Sequence, residues 1–208
     1  MIYELSLVTK SDLSEDVLAS VKKIVHEVSS QYEGEVLLED DWGRMNLAQP
    51  TSTGTKNGHF VYFIFTANSE GNKELARRFK INDHVMRSLV VKLGEDSDRE
   101  EIVKGYKTPF SKNYNGSVTD DLRENEGDNP KRFARSKSCW FKANQISADW
   151  KDPQTYQWLV NEFGKISAAR ISGVSMKHQR LATIAIKRAR QIGIASYVSG
   201  RMAETPRV

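Results

Sequence analysis

The chain has 208 residues, 38% of them hydrophobic and 28% charged, with 31 Lys and Arg against 27 Asp and Glu for a formal net charge of +4. That length holds one large domain or two small ones, and the sequence contains no apolar run long enough to span a bilayer. The single cysteine, Cys139, excludes an internal disulfide and a thiol-rich zinc cluster, so a reducing, cytoplasm-like compartment is expected.

Residues 1–95 read as strand, helix, strand, strand, helix, strand. Ile2, Glu4, Ser6 and Val8 alternate with Tyr3, Leu5 and Leu7, the pattern of a strand. No charged segment, apolar stretch and small-residue cleavage site precede it, so a secretory signal is not expected. Ser14 is placed to cap a helix, with Glu15 and Asp16 at its positive end. Val17, Leu18, Val21, Ile24, Val25 and Val28 follow at helical spacing. Val36 to Leu38 and the stretch from Trp42 to Ala48 suit a long second strand. Residues 51–58, rich in Ser, Thr, Gly and Asn, suit a hairpin loop. Phe60 to Phe65 is the strongest strand. Ser69 is placed to cap a helix carrying Leu75, Ala76 and Phe79, and Val85 to Leu93 alternates as a last strand.

That order predicts an α+β fold for residues 1–95, the ferredoxin-like βαββαβ unit with both helices on one face of a four-stranded antiparallel sheet. One helix layer covers only one side of the strongest strand, which carries Phe60, Tyr62 and Ile64 on one face and Val61, Phe63 and Phe65 on the other. The set assigned to docking is Phe60, Tyr62 and Ile64. A docked module or covering loops would each bury it.

Residues 96–133 are dominated by Asp, Glu, Asn, Gly and Ser and read as an acidic flexible linker. A flexible chain of about 40 residues spans roughly 35 Å end to end, enough for the C-terminal part of the chain to reach back to the sheet. Residues 134–208 read as a small, mostly α-helical basic domain. Pro153 is placed to start a helix with Tyr156, Leu159, Val160 and Phe163 on one face, and Gly164 to stop it. Lys165-Ile166 and Arg170-Ile171 look extended. Ser175 is placed to cap a final helix running to about Ile192.

Charge is divided unevenly between these parts. Pro130 to Val208 holds 15 Lys and Arg against 4 Asp and Glu, a net of +11, while Met1 to Asn129 holds 16 against 23, a net of −7. A basic module of that density points to a polyanion, most often nucleic acid. On a helical wheel of residues 177–192, Leu181, Ala182, Ala185, Ile186, Ala189 and Ile192 form one stripe. Lys177, Arg180, Lys187, Arg188 and Arg190 form a band on the remaining arc, with Ile184 its one bulky apolar member. Like charges three and four apart repel, and a phosphate backbone relieves them with release of counterions. These five residues, with Lys165, Arg170 and the boundary residue Gln179, are the expected nucleic-acid contacts. His178 falls within the apolar arc, which suits packing or capping. A calmodulin-target or membrane-surface helix is the alternative, against which stands a stripe rich in alanine and without large aromatic anchors.

A catalytic or metal site is not expected. The phosphate-binding loop, nucleophile elbow and paired-histidine zinc motifs are absent from the sequence. Cys139-Trp140-Phe141-Lys142 starts like a metal knuckle but has Lys142 where a second thiol would stand. Glu39-Asp40-Asp41 reads as a solvated carboxylate run, with His26 and His59 distant in sequence.

Residues 134–198 resemble bacterial small-subunit ribosomal protein eighteen. The resemblance runs through Lys137-x-Cys139-x-Phe141, Asp149-Trp150-Lys151-Asp152, Gly164-Lys165-Ile166 and Arg170-x-Ser172-Gly173. It ends in Lys177-His178-Gln179-Arg180 and Ala185-Ile186-Lys187-Arg188-Ala189-Arg190. Residues 1–93 are similar to small-subunit ribosomal protein six, through Tyr3-Glu4, Trp42-Gly43-Arg44, Leu47-Ala48 with Pro50, Gly58-His59-Phe60 and Asn82-Asp83-x-Val85-x-Arg87. The departures are Ala168-Ala169 before Arg170, where the eighteen family has Pro-Arg, Lys142 in place of a second cysteine, and Ile2 in place of an arginine. The resemblance implies a fusion of two partners that bind the central, platform domain of small-subunit rRNA. The first part would be the scaffold and the second the main RNA reader, beside neighbouring small-subunit proteins. It implies no cofactor, no membrane and no small-molecule substrate. A nucleic-acid-binding regulator acting off the ribosome is the competing reading, and an enzyme on the sheet a third.

Overall fold

In the computed structural model, described for residues 1–51, 54–109 and 139–198, the front of the chain forms one four-stranded sheet. The strands are β1 (Ile2–Lys10), β2 (Val36–Asn46), β3 (Asn57–Thr66) and β4 (Val85–Gly94), ordered β2-β3-β1-β4, and every neighbouring pair is antiparallel. Helix α1 (Glu15–Gln31) joins β1 to β2, and α2 (Ser69–Ile81) joins β3 to β4. This is the ferredoxin-like arrangement. Its register sets Leu5 beside Phe63 and Leu7 beside Val61, so one face of the central strands is continuous aliphatic and aromatic surface.

Both helices cover that face. Val21, Val25 and Val28 of α1 and Leu75 and Phe79 of α2 bury against Tyr3, Leu5, Leu7, Val61, Phe63 and Phe65. Ser14 stands at the α1 N-cap without a side-chain bond. The α2 cap lies one residue earlier than the expected Ser69: Asn68 Oδ1 accepts the Gly71 N–H at 2.7 Å. The short amide side chain captures an otherwise unpaired amide of the first turn.

The opposite face of the sheet is also dry. Ile2, Val8, Phe60, Tyr62, Ile64, Leu89 and Val91 share a core with Phe141, Trp150, Tyr156, Leu159, Val174, Ala182, Ala185, Ile186, Ala189 and Ile192. The sheet is therefore the middle layer of three. Burying both faces explains why β3 is apolar at successive positions. The cover on this second face comes from α4 (Trp140–Ala143), α6 (Met176–Ile192) and the turns around them, while α5 (Ala169–Ser172) buries none of its own residues.

Three local expectations differ from the structure. Residues 96–104, read as linker, form a 3-10 turn (Asp96–Asp98) and helix α3 (Arg99–Lys104), and Ile102 and Tyr106 pack on the second core. Two apolar residues four apart are enough to anchor one turn, even in an acidic stretch. Residues 110–133 of that stretch lie outside the described residues. The helix expected from Pro153 is instead two 3-10 turns, Pro153–Thr155 and Gln157–Leu159, which bury Tyr156 and Leu159 at three-residue spacing. The chain then reverses at residues 161–165. Asn161 Oδ1 accepts the N–H groups of Phe163 and Lys165 at 3.1 and 2.7 Å, and Val160 bridges Ile166. Phe163 sits on this turn 75% exposed instead of on a buried face. Arg170-Ile171, expected to be extended, belongs to α5, which ends at Gly173 with φ 72°.

Candidate nucleic-acid interface

Helix α6 carries the basic surface. Ser175 precedes it and Gly193, at φ 94°, ends it. Ala182, Ala185, Ile186, Ala189 and Ile192 are buried against the sheet, because alanines let the helix axis approach closely. Its 17 residues contain no carboxylate, and its first turn carries Lys177 where the helix macrodipole favours an anion. Lys177, Arg180 and Lys187 are exposed and Arg188 is half-buried. Lys165 and Arg170 are exposed on the turn and on α5. The ion pairs formed by described residues 139–198 belong to Lys151, so none of these cations is neutralised by a described carboxylate.

Three residues sit differently from their sequence assignment. Gln179 turns inward, and its Nε2 donates to the Ser167 carbonyl at 2.8 Å. Arg190 is half-buried. It donates to the carbonyls of Ser196, at 3.1 Å, and Gly164, and its guanidinium lies over the Tyr197 ring. It staples the chain after α6 to the 161–165 turn. Leu181, assigned to the buried stripe, is 42% exposed, beside Ile184 at 46%.

At the centre of the second core lies a polar cluster. Glu4 projects from β1 into it, 2% exposed. Tyr62 O–H donates to Glu4 Oε2 at 2.9 Å, Trp150 Nε1–H donates to Oε1 at 2.9 Å, and Lys151 Nζ lies 3.5 Å from Oε2. Lys151 also lies over the rings of Tyr62, Tyr106 and Trp150 and 3.3 Å from Asp149. Burial, then the neighbouring Glu4 carboxylate, pushes the Tyr62 hydroxyl far above its ordinary range, so it stays a donor. Trp42 stacks on Tyr62 at 5.2 Å, and its Nε1–H donates to Tyr106 Oη at 3.0 Å. The expected docking set, Phe60, Tyr62 and Ile64, lines this core. Arg87 of β4 and Ala48, just past β2, also hold the C-terminal end of α6. Arg87 Nη1 donates to the carbonyls of Arg190 and Gln191, both at 3.3 Å, and Ala48 N–H donates to Gly193 O at 2.9 Å.

Two further groupings of titratable side chains lie away from the basic surface. His59 meets Asp41 at 2.6 Å, His26 meets Glu39 at 3.2 Å, and Lys22 bridges both carboxylates at 3.0 Å. Glu39 and Asp41 of the carboxylate run thus form an ion-pair network between α1 and the sheet edge, while Asp40 accepts from Tyr106 and Trp42. Cys139 Sγ lies 3.5 Å from His178 Nδ1, whose ring stacks on Phe141. Burial pushes the thiol up, but hydrogen bonds from Ser175 and from the Lys142 and Phe141 amides outweigh it and hold it below its usual range. Among the described residues, no three His, Cys, Asp or Glu side chains gather as a metal site needs, and no helix is long and apolar enough to cross a membrane.

Comparison with known proteins assigns both parts. The family model for ribosomal protein S6 matches residues 2–92, and that for ribosomal protein S18 matches residues 144–195. Small ribosomal subunit protein bS18 of Citrifermentans bemidjiense is 50% identical over 74 residues, 35% of this chain and 80% of that protein. The bS18 of Treponema pallidum is 39% identical over 79 residues, covering 36% and 80%. The chain belongs to the ribosomal protein S18 family. An S6 part precedes the S18 part in the same polypeptide, and the role of both is structural, not enzymatic. Among solved structures, the 30S ribosomal protein S6 of Thermotoga maritima is similar at 17% identity and a TM-score of 0.41, covering 50% of this chain and 96% of that one.

Sequence reasoning did not single out Glu4, Trp150, Lys151, Arg87 or Gly193 as contact residues. Glu4 left a signal, as the one acid in the strand register it shares with Ile2, Ser6 and Val8. An acid in that register needs a donor from elsewhere. Trp150 and Lys151 were visible only as family motif residues.

Proposed function

We propose that this chain is a structural component of the small ribosomal subunit that binds and stabilises the central, platform domain of its rRNA. The S18 part supplies the RNA-binding surface. The S6 part is the scaffold that holds it, docked within the same chain through Phe60, Tyr62 and Ile64. Residues 1–95 and 134–208 are the two domains of this reading.

The observation that carries it is the outer face of α6, where Lys177, Arg180, Lys187 and Arg188 stand without a described carboxylate partner on a helix that has none of its own. A polyphosphate backbone is the partner that offsets such a face, with Lys165 and Arg170 extending it. The scaffold role is supported by the full set of donors that Trp150, Lys151 and Tyr62 bring to Glu4. Neighbouring small-subunit proteins complete the setting.

Sucrose-gradient fractionation of cells expressing the tagged chain tests this. Stoichiometric co-sedimentation with the small subunit in moderate salt is the expected result. Recovery at the top of the gradient, bound to other RNA or DNA, would favour a regulator acting off the ribosome. Crosslinking the purified chain at low concentration tests the docking within one chain, for which only intramolecular products are expected.

A further inference from the structure

We infer that α6 crosses the minor groove of an RNA double helix, with Leu181 and Ile184 against the sugar edge of the groove and the cations at either end on opposite phosphate strands. This rests on the rRNA-binding reading and adds to it the form of the RNA and two residues that select that form.

The segmentation of the outer face carries the inference. Lys177 and Arg180 come first, then Leu181 and Ile184, then Lys187 and Arg188, all within one continuous arc of the helix. A rise of 1.5 Å per residue sets the two cation pairs about 10–16 Å apart, with the aliphatic pair between them. Leu181 and Ile184 are 42% and 46% exposed, although Ala182, Ala185 and Ile186 beside them are buried, so the fold does not consume these two side chains. Charge, apolar surface and charge therefore alternate along one helix.

An RNA duplex matches that sequence of surfaces. Its minor groove is wide and shallow, lined by riboses and 2′-hydroxyls and flanked by two phosphate strands, whereas its major groove is too deep and narrow for side chains to read. Single-stranded RNA is held by aromatic stacking platforms, and α6 contains no Phe, Tyr or Trp. A protein partner would be a poor match, since charged residues are depleted at the centre of protein interfaces.

The test uses the full chain and three labelled probes: an RNA hairpin with one helical turn of stem, a DNA hairpin of the same sequence, and an unpaired RNA of the same length. The RNA stem is expected to bind about tenfold tighter than either of the others. The double variant Leu181→Gln/Ile184→Gln, which changes only exposed positions, is expected to bind the RNA stem about tenfold more weakly with an unchanged salt slope. Circular dichroism checks that it stays folded. Wild-type affinity of the double variant for the stem, or equal affinity for the unpaired RNA, would overturn the groove assignment. A lowered salt slope in Arg180→Gln/Arg188→Gln, in that same experiment, would leave the parent reading standing. An unchanged slope in this second variant would sink both.

Discussion

Trp150 donates its indole N–H to Glu4 at 2.9 Å, across a sequence separation of 146 residues. Glu4 lies within the residues matched by the S6 model and Trp150 within those matched by the S18 model. Arg87 and the end of α6 repeat the pattern. The seam between the two parts is thus an apolar field with a charged group at its centre. A buried carboxylate is costly unless every lone pair is met, so Glu4 favours a cover that brings donors over one that is merely apolar.

That dependence predicts the outcome of a double-mutant cycle. Trp150→Phe keeps a ring in place but leaves Glu4 Oε1 without its donor, and is expected to lower stability by about 1–3 kcal/mol. Once Glu4 is replaced by Gln, which carries no charge, the same change should cost less than half as much. Urea unfolding of the four proteins measures the coupling. Simple additivity would mean that the two groups do not depend on each other.

Arg190 and Arg180 lie on the same helix and should separate cleanly. Arg190 bridges the carbonyls of Ser196 and Gly164 with its fork, and lysine lacks the planar, pre-organised pair of donors that spans them. Arg190→Lys is expected to cost about 1 kcal/mol of stability and leave the salt dependence of RNA binding unchanged. Arg180→Ala should alter stability by less than about 0.5 kcal/mol and reduce the salt slope by about 0.7–0.9. Thermal melts and binding titrations at several salt concentrations report the two effects; the reverse pattern would exchange their roles.

The sheet was legible because its periods are local. Ile2 to Val8 alternates, α1 and α2 repeat at helical spacing, and the doubly apolar Phe60 to Phe65 announced two covered faces. The cationic face of α6 was legible for the same reason. What was not legible is set by contacts between distant segments. Arg190 looks like any other member of the band until Ser196 and Gly164 are brought beside it. Leu181 belongs to the apolar arc by angle, yet the sheet does not extend under it. The reversal at 161–165 depends on the Asn161 side chain capturing two amides, which outweighs the apolar spacing that predicted a helix ending in Phe163.

The ion-pair network on α1 predicts how stability responds to acid. Burial raises the carboxyls of Glu39 and Asp41, but bonds from Lys22, with His26 for Glu39, and the Gly43 amide and His59 for Asp41, outweigh it and hold both below their usual values of 4.5 and 3.8. A folded-state value below the unfolded one adds stability that is present above the unfolded value and disappears as pH falls through the folded one. Stability is therefore expected to hold from neutral pH to about 5 and to fall progressively below 4.5. Lys22→Met should lower stability at neutral pH and flatten that acid limb, as measured by urea unfolding between pH values of about 7 and 3. An acid limb as steep as in the wild type would place the responsible carboxylates elsewhere.

Arg87 offers the last test, because it holds the end of the basic helix without touching its outer face. Its guanidinium donates to two carbonyls of the final turn, where a cation also complements the macrodipole. Next to it, Gly193 turns the chain at φ 94°, and a Cβ there would lie 2.9 Å from Leu47 and 3.2 Å from Arg87. Arg87→Ala is expected to destabilise by about 1–2 kcal/mol, and Gly193→Ala by at least about 1–2 kcal/mol from the left-handed conformation alone. Both should speed hydrogen exchange in the last turn of α6 more than in its first. At a temperature where each variant is fully folded, both should leave the salt slope of RNA binding unchanged, since no phosphate-facing charge is lost. A reduced slope in Arg87→Ala would mean that this arginine faces the RNA directly, which would extend the binding surface onto β4.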